Sequence, residues 1–288
     1  MTSAYIVLTC INILLAWSVY IIMLTGQVSI GNSAFMAIGA YVSGVLTVKF
    51  DFPLVAALMM GVIVSTMAGA LIGFPALRLK GVYLIMVTIG IAASVETLIQ
   101  NIPYVGGVGG FGGMFGTTVT LSVICVIIVC LILLWISRTP LQRILEAIRE
   151  DERVAASMGI NVTYVKVCAF AIGAGIAALA GGLYAHYMTY IYPENFGIWA
   201  SIQMLLYVIL GGTNNLWGPA FGAVLMTLLP EYIRFLDEWR VTVFGVLIVV
   251  LLLFRPEGLL SFRTVTARIR NGRVSKPAEG KGDQDGRA

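Results

Sequence analysis

The sequence predicts an all-α fold: a polytopic membrane helical bundle of about eight spans with two discontinuous, re-entrant regions. Three observations predict it. The 288 residues are 59% hydrophobic and only 11% charged, against about 25% charged in an ordinary soluble domain. Apolar stretches follow one another along the chain, many of them near the roughly 20 helical residues needed to cross a hydrocarbon core of about 30 Å. Lys and Arg concentrate in three segments, spaced as alternate faces of a membrane require. A water-soluble domain is excluded on the first of these alone.

The first apolar stretch covers residues 4 to 24. No Lys or Arg precedes Lys49, so it lacks the basic leader and small-residue cleavage site of a signal peptide, and a retained span is expected. Further runs fall near 33 to 48, 54 to 74, 82 to 100, 118 to 136 and 166 to 186. A broken apolar region covers 199 to 230, and a short last run covers 241 to 254. Cytoplasmic loops are enriched in Lys and Arg. Arg78 with Lys80, the group Arg138, Arg143, Arg149 and Arg153, and the tail with Arg255, Arg263, Arg268, Arg270, Arg273 and Lys276 are therefore expected inside. The stretches around Phe50, 106 to 116 and Pro193 are then outside, and the C-terminus is cytoplasmic.

This parity makes residues 199 to 230 begin and end outside, although Gly211, Gly212, Asn214 and Asn215 break the region in its middle. Each half, near 14 residues, spans only about 21 Å as a helix, so a re-entrant pair of half-helices fits best. A similar break occurs early, where Gly26, Gln27, Ser29, Gly31 and Asn32 interrupt two apolar runs. It is either a plain cytoplasmic turn or a second discontinuous helix whose exposed N–H groups face a polar solute. Irregular backbone at membrane depth is tolerated only where it is buried in protein or lines a wet cavity. These nine residues are the expected solute path.

Other features point away from chemistry. The outer segment NIPYVGGVGGFGGMFG is glycine-rich, but no Gly-Lys-Ser/Thr follows it, so it is not a phosphate-binding loop. Cys10, Cys125, Cys130 and Cys168 sit singly in apolar runs, with no CxxC pair and no adjacent ligand residues, and are expected to be buried bystanders rather than a metal site. His186 lies among Tyr184, Tyr187, Tyr190 and Tyr192, the composition of an interfacial aromatic belt, so an anchoring role is expected. Asn161-Val162-Thr163 falls on the inner side and carries no weight as a glycosylation site. From 261 to 288 the composition becomes basic and polar, which predicts a disordered cytoplasmic tail attracted to anionic headgroups.

One element looks soluble. In TPLQRILEAIREDERVAASMGIN, seven of the eleven residues from Arg143 to Arg153 are charged. Thr139 as N-cap, Pro140 at the first helical position, Gln142 closing a capping box and Gly159 at the end predict one helix over 140 to 159, about five turns long. Leu141, Ile144, Leu145, Ile148 and Ala155 share a face, while Arg143, Glu146, Glu150 and Arg153 share another. A helix lying on headgroups would carry a cationic face. This face is mixed in sign, which suits a protein partner.

The segment EAIREDERVAASMGI resembles the cytoplasmic EAA-type coupling motif of ABC importer permeases, with Glu146 and Ala147 leading and Gly159 trailing. TGQVSIGNSAFMAIGAY, LKGVYLIMVTIG, that motif, AGIAALAGGLYA, LGGTNNLWGP and LLLFRPEGLL, in this order, resemble the blocks of the LivM-type permease of branched-chain amino acid importers, nearly up to residue 260. The resemblance implies a transmembrane permease domain over 1 to 260, translocating branched-chain or other apolar amino acids across the bacterial cytoplasmic (inner) membrane. It implies a second related permease subunit, two cytoplasmic ATPase subunits and an extracytoplasmic solute-binding protein. The ATPase docks through Glu146, Ala147, Arg149, Glu150 and Gly159; ATP and Mg bind on those partners, and no cofactor is expected on this chain, which has no Walker A sequence.

No enzymatic activity of its own and no nucleic-acid partner are expected; lipids are. Three features depart from the family pattern: Asn32 where His is common, Thr213-Asn214-Asn215 where a smaller Gly-Ser sequence is usual, and Glu96. All touch the expected solute path, which leaves urea, short amides or aromatic acids as alternative cargo. An ion-coupled secondary transporter would need paired ionisable residues at membrane depth. Only Glu96 qualifies, about one turn from the outer end of its span.

Overall fold

A computed structural model describes residues 2 to 79 and 81 to 232, together with Gly245. Lys80, nearly all of the expected span at 241 to 254, and the tail from 261 lie outside the described residues. Helices form at α1 (Thr2–Met23), α2 (Asn32–Lys49), α3 (Leu54–Ala76), α4 (Val82–Gln100) and α5 (Val119–Arg138). They continue with α6 (Pro140–Glu150), α7 (Glu152–Ser157), α8 (Val162–Met188), α9 (Ile198–Gly211) and α10 (Trp217–Tyr232). The only strands among the described residues are two residues each, β1 (Phe111–Gly112) and β2 (Tyr190–Ile191), paired antiparallel. By length and composition, α1, α3, α4, α5 and α8 can each cross a membrane. The chain is a helical, multi-pass membrane bundle.

Burial divides the helices into a centre and a periphery. The most apolar stretches of α8 and α1 are 72% and 67% buried, those of α3, α4 and α5 only 28%, 22% and 22%. On the outer helices, Met67, Leu71, Met86, Leu131 and Trp135 stand exposed; so much exposed apolar surface needs an apolar solvent, which the bilayer supplies. Helices in lipid gain nothing by hiding apolar surface from water, so they associate through close packing at small residues. Helix α8 is built for this, with AFAIGAGIAALAGG at its core. A Cβ at Gly181 would lie 2.0 Å from the Met36 carbonyl oxygen, and one at Gly39 would lie 2.3 Å from that of Ala178. Helices α2 and α8 therefore meet backbone to backbone.

The stretches expected on one face gather at one end of the bundle. Lys49 reaches the Tyr104 carbonyl, with its ammonium 3.2 Å from the Tyr104 ring centroid. Tyr190 donates its hydroxyl to the Gly109 carbonyl at 2.6 Å, and the β1–β2 pair joins the glycine-rich segment to the chain after α8. Helices α6 and α7 lie at the opposite end.

Two expectations about single residues are corrected or refined here. His186 is 2% exposed and is not an interfacial anchor. Its Nδ1 lies 2.8 Å from the Gly182 carbonyl and must donate to it, which leaves Nε2, 2.9 Å from Thr47 Oγ1, to accept from that hydroxyl. A buried imidazole is tolerable only with its polar atoms paired, and this pairing ties α8 to α2. Cys10 and Cys125 are buried, while Cys130 and Cys168 are half-buried; all four are free thiols.

The α2–α8 contact yields a signed test. Gly39→Ala should lower the apparent melting temperature of the detergent-purified protein, by the equivalent of about 1–3 kcal/mol or more, because backbone cannot yield as a side-chain tip can. Gly90→Ala, in helix interior with nothing among the described residues within 4 Å of the added carbon, should raise it by about 0.5–1 kcal/mol. Equal midpoints for the two variants would show that the close approach contributes nothing.

Candidate functional site

The charged segment after α5 folds as two helices rather than one. Asp151, at φ −152° and ψ 110°, leaves the helical region, and its side chain caps α7 by accepting from the Arg153 N–H at 2.8 Å and the Val154 N–H at 3.3 Å. Asp is among the strongest N-cap formers, and here that local preference breaks the expected continuous helix. The expected capping box does not form either. The Thr139 hydroxyl donates back to Ile136, and Gln142 donates to Glu146 at 3.0 Å. Gly159 does end the element, at φ +82°, with Ile160 N–H closing back onto the Ala155 carbonyl.

The two faces sort largely as the spacing demands. Leu145, Ile148 and Ala155 are buried, whereas Leu141 is 45% exposed. Arg143, Glu146, Glu150 and Arg153 are exposed and Ala147 is half-buried. A hollow of about 350 Å³ beside the helix start is lined by Arg138, Gln142, Arg143 and Glu146 among others.

Arg149 brings both chain interruptions together. Gly26, at φ +76°, packs so tightly under it that a Cβ there would lie 3.3 Å from Arg149 Cα. The Arg149 guanidinium donates through Nη2 to Thr213 Oγ1 at 2.8 Å, in the turn between α9 and α10. From Gly26 the chain runs without helix to Asn32. Ile30 N–H donates to Thr88 Oγ1 at 3.2 Å, a Cβ at Gly31 would lie 2.9 Å from the Thr88 carbonyl oxygen, and Gly31 N–H donates to Ser29 Oγ at 3.2 Å. Gln27 is buried, with Oε1 3.4 Å from the Thr25 hydroxyl.

Helix α2 then starts well inside the bundle. Ser33 N–H donates to Ser201 Oγ at 3.0 Å, and Ser201 donates to Ser33 Oγ at 2.7 Å. Ser201 lies ten residues along α9 from Gly211, on the order of 15 Å at the helical rise. Asn32 donates to Ser18 Oγ at 3.1 Å, five residues before the end of α1. Its Oδ1 is buried without a hydrogen-bond partner among the described residues, and so is the Tyr41 hydroxyl.

Of the second interruption, Gly211 is a packing residue. A Cβ there would lie 1.9 Å from the Gly218 carbonyl oxygen, and one at Gly222 would lie 2.1 Å from that of Tyr207. These glycines let α9 and α10 close on each other. Gly212, at φ +91°, makes the turn, and Asn214 and Asn215 are exposed beyond it.

Two features escape a reading of the sequence, and the surroundings of a third, Glu96, are set only by the fold. Lys166, 4% exposed, forms an ion pair with Glu152 and ties α7 to α8; a lone Lys beginning an apolar run was the available signal. Glu96 lies beside the start of α9, where a Cβ at Gly197 would be 3.2 Å from its Oε2. Finally, α1, α2 and α9 enclose a cavity of about 120 Å³ bordered by the amides Asn12, Asn195 and Gln203. Single amides in apolar runs gave no hint that they converge. Among the described residues, no three His, Cys, Asp or Glu side chains come together as a metal site.

Comparison with known proteins supplies the kinship. The chain is 31% identical to the high-affinity branched-chain amino acid transport system permease protein LivM of Salmonella typhimurium, over 93% of this chain and 72% of that one. It is 31% identical to the LivM protein of Escherichia coli, over 92% and 71%. The permease protein LivH of the Escherichia coli high-affinity system is 29% identical over 45% of this chain and 42% of its own. No solved structure gives a significant match. The family profile described as branched-chain amino acid transport system / permease component matches residues 1–252, and the chain belongs to that family.

Proposed function

We propose that this chain is one of two membrane subunits of an ATP-driven importer that carries branched-chain or other apolar amino acids across the bacterial cytoplasmic membrane. One observation carries the reading: Arg149 of α6 touches Gly26 and bonds Thr213, so the only charged, partner-shaped element among the described residues bears on both chain interruptions. ATPase subunits holding ATP and Mg dock on Glu146, Ala147, Arg149, Glu150 and the segment up to Gly159. Their movement reaches residues 26 to 32 and 211 to 215 through Arg149, and those residues form the discontinuous, re-entrant parts of a solute path. A zwitterion can pass such a path without fixed countercharges, because helix starts favour its carboxylate and side-chain amides serve both of its ends.

The likeness to both LivM and LivH proteins supports a pair of related permeases, fed by an extracytoplasmic binding protein. Positive residues around α6 support a cytoplasmic location for that end and for the C-terminus.

In the reconstituted importer, Arg149→Ala and Thr213→Val should each cut amino acid uptake about tenfold, as loss of a charged hydrogen bond of roughly 1.5 kcal/mol implies. With Thr213→Val, which lies outside the docking face, the ATPase subunits should still co-purify and hydrolyse ATP. Glu146→Arg, on the docking face itself, should lose the ATPase. Wild-type uptake in Arg149→Ala would refute transmission through this residue.

Orientation is tested separately. Single cysteines at positions 108, 150 and 194, in a background lacking the four native ones, should react with an impermeant thiol reagent from outside at 108 and 194 only. Labelling of position 150 in intact cells would invert the topology.

A further inference from the structure

We propose that the cavity between α1, α2 and α9 is the station where the solute is held, its aliphatic side chain against Leu8, Leu15 and Met204 and its ammonium and carboxylate against the amides of Asn12, Asn195 and Gln203. This rests on the reading of the chain as an amino acid permease. Size selects the class of ligand. About 120 Å³ is several times the roughly 30 Å³ share of one water and well below the roughly 300–1,000 Å³ of pockets for larger molecules. That is room for one small aliphatic side chain, with the polar end of its amino acid at the open mouth.

Chemistry narrows it further. Among the described residues no ionised side chain lines the cavity, so a solute with net charge would be desolvated there without a countercharge, at a cost of several kcal/mol. Amides both donate and accept, and so can meet both ends of a zwitterion. The apolar wall is fixed: Leu15 is 4% and Met204 1% exposed. Asn12 is held in place by donating to Thr227 of α10 at 2.9 Å. The mouth is polar and open, since Asn195 and Gln203 are exposed and Asn195 belongs to the turn at the end of the bundle opposite α6.

The way onward is also marked. Met36, in the cavity wall, sits one turn along α2 from Asn32, and the Leu15 carbonyl accepts from Ser18, the residue to which Asn32 donates. The unpartnered Asn32 Oδ1 therefore lies next to the cavity on its inward side. A buried acceptor without a partner is costly, and a passing ammonium would satisfy it.

The test uses the complete importer, with its ATPases, partner permease and binding protein in proteoliposomes, and follows leucine uptake, phenylalanine uptake and ATP hydrolysis. Ala200→Phe, which fills the cavity, and Gln203→Leu, which strips its mouth of an amide, should each lower leucine uptake at least tenfold while loaded binding protein still stimulates hydrolysis. Met204→Ala, which enlarges it, should raise the phenylalanine-to-leucine ratio about tenfold, the low end of what one methylene-sized difference selects. If Ala200→Phe fails to assemble, Gln203→Leu, at an exposed position, decides. Leucine uptake within twofold of wild type in Gln203→Leu, or an unchanged ratio in Met204→Ala, overturns the proposal while leaving the permease reading intact. A wild-type importer that carries no aliphatic amino acid overturns both.

Discussion

The backbone contact of α2 with α8 governs how the interior of the bundle is arranged. Because Gly39 and Gly181 leave no room for side chains, the axial position of α2 is set by steric register rather than by apolar burial, which is weakly directional in lipid. That register puts Asn32 and Ser33 beside Ser18 and Ser201. The chain between the end of α1 and the start of α2 must then climb into the bundle as irregular backbone. Such backbone survives only if its polar groups find partners, and Thr88, Ser29 and Ser201 supply them. Gly26 is left at the foot of the climb, where Arg149 lies on it.

Most of the helical architecture was legible in the sequence because the solvent is simple. Apolar runs at 54 to 74 and 82 to 100 became α3 and α4 with ends shifted by no more than two residues, since length and composition decide a helix in lipid. The Asp151 break was not legible. Seven charges in eleven residues looked like one solvated helix, and the winning term was a local cap that any Asp can offer. His186 misled for a related reason: neighbouring tyrosines suggested an interface, but its two ring nitrogens are spent on Gly182 and Thr47. The interruptions at 26 to 32 and 211 to 215 were visible as breaks. That one arginine touches both is a product of tertiary folding and has no signature in spacing.

The interior polarity is of a particular kind. Along α1, α2 and α9 it consists of hydroxyls and amides, from Ser18, Asn32, Ser33 and Ser201 to Asn12 and Gln203. Hydroxyls and neutral amides are cheap to expose and tolerable to bury when paired, whereas ions at depth demand partners. The clearest buried ion among the described residues, Lys166, has Glu152 beside it and stands at the α7 end of the bundle, away from that row. Charge is used here to fasten elements, and neutral polarity to line the interior.

The break at Asp151 divides the charged element into two helices with separate moorings. Helix α7 is pinned to the central helix α8 by the Glu152–Lys166 pair, and removing Glu152 would leave the Lys166 ammonium buried without its countercharge. Helix α6 is held differently, by the buried Leu145 and Ile148 and by the Arg149–Thr213 bond, and ends on a residue in extended conformation. The two helices are thus joined at extended backbone, with different moorings on either side of Asp151. Arg149 sits only two residues from that joint, so any tilt of α6 about Asp151 that is large at Arg143 is small where Gly26 lies.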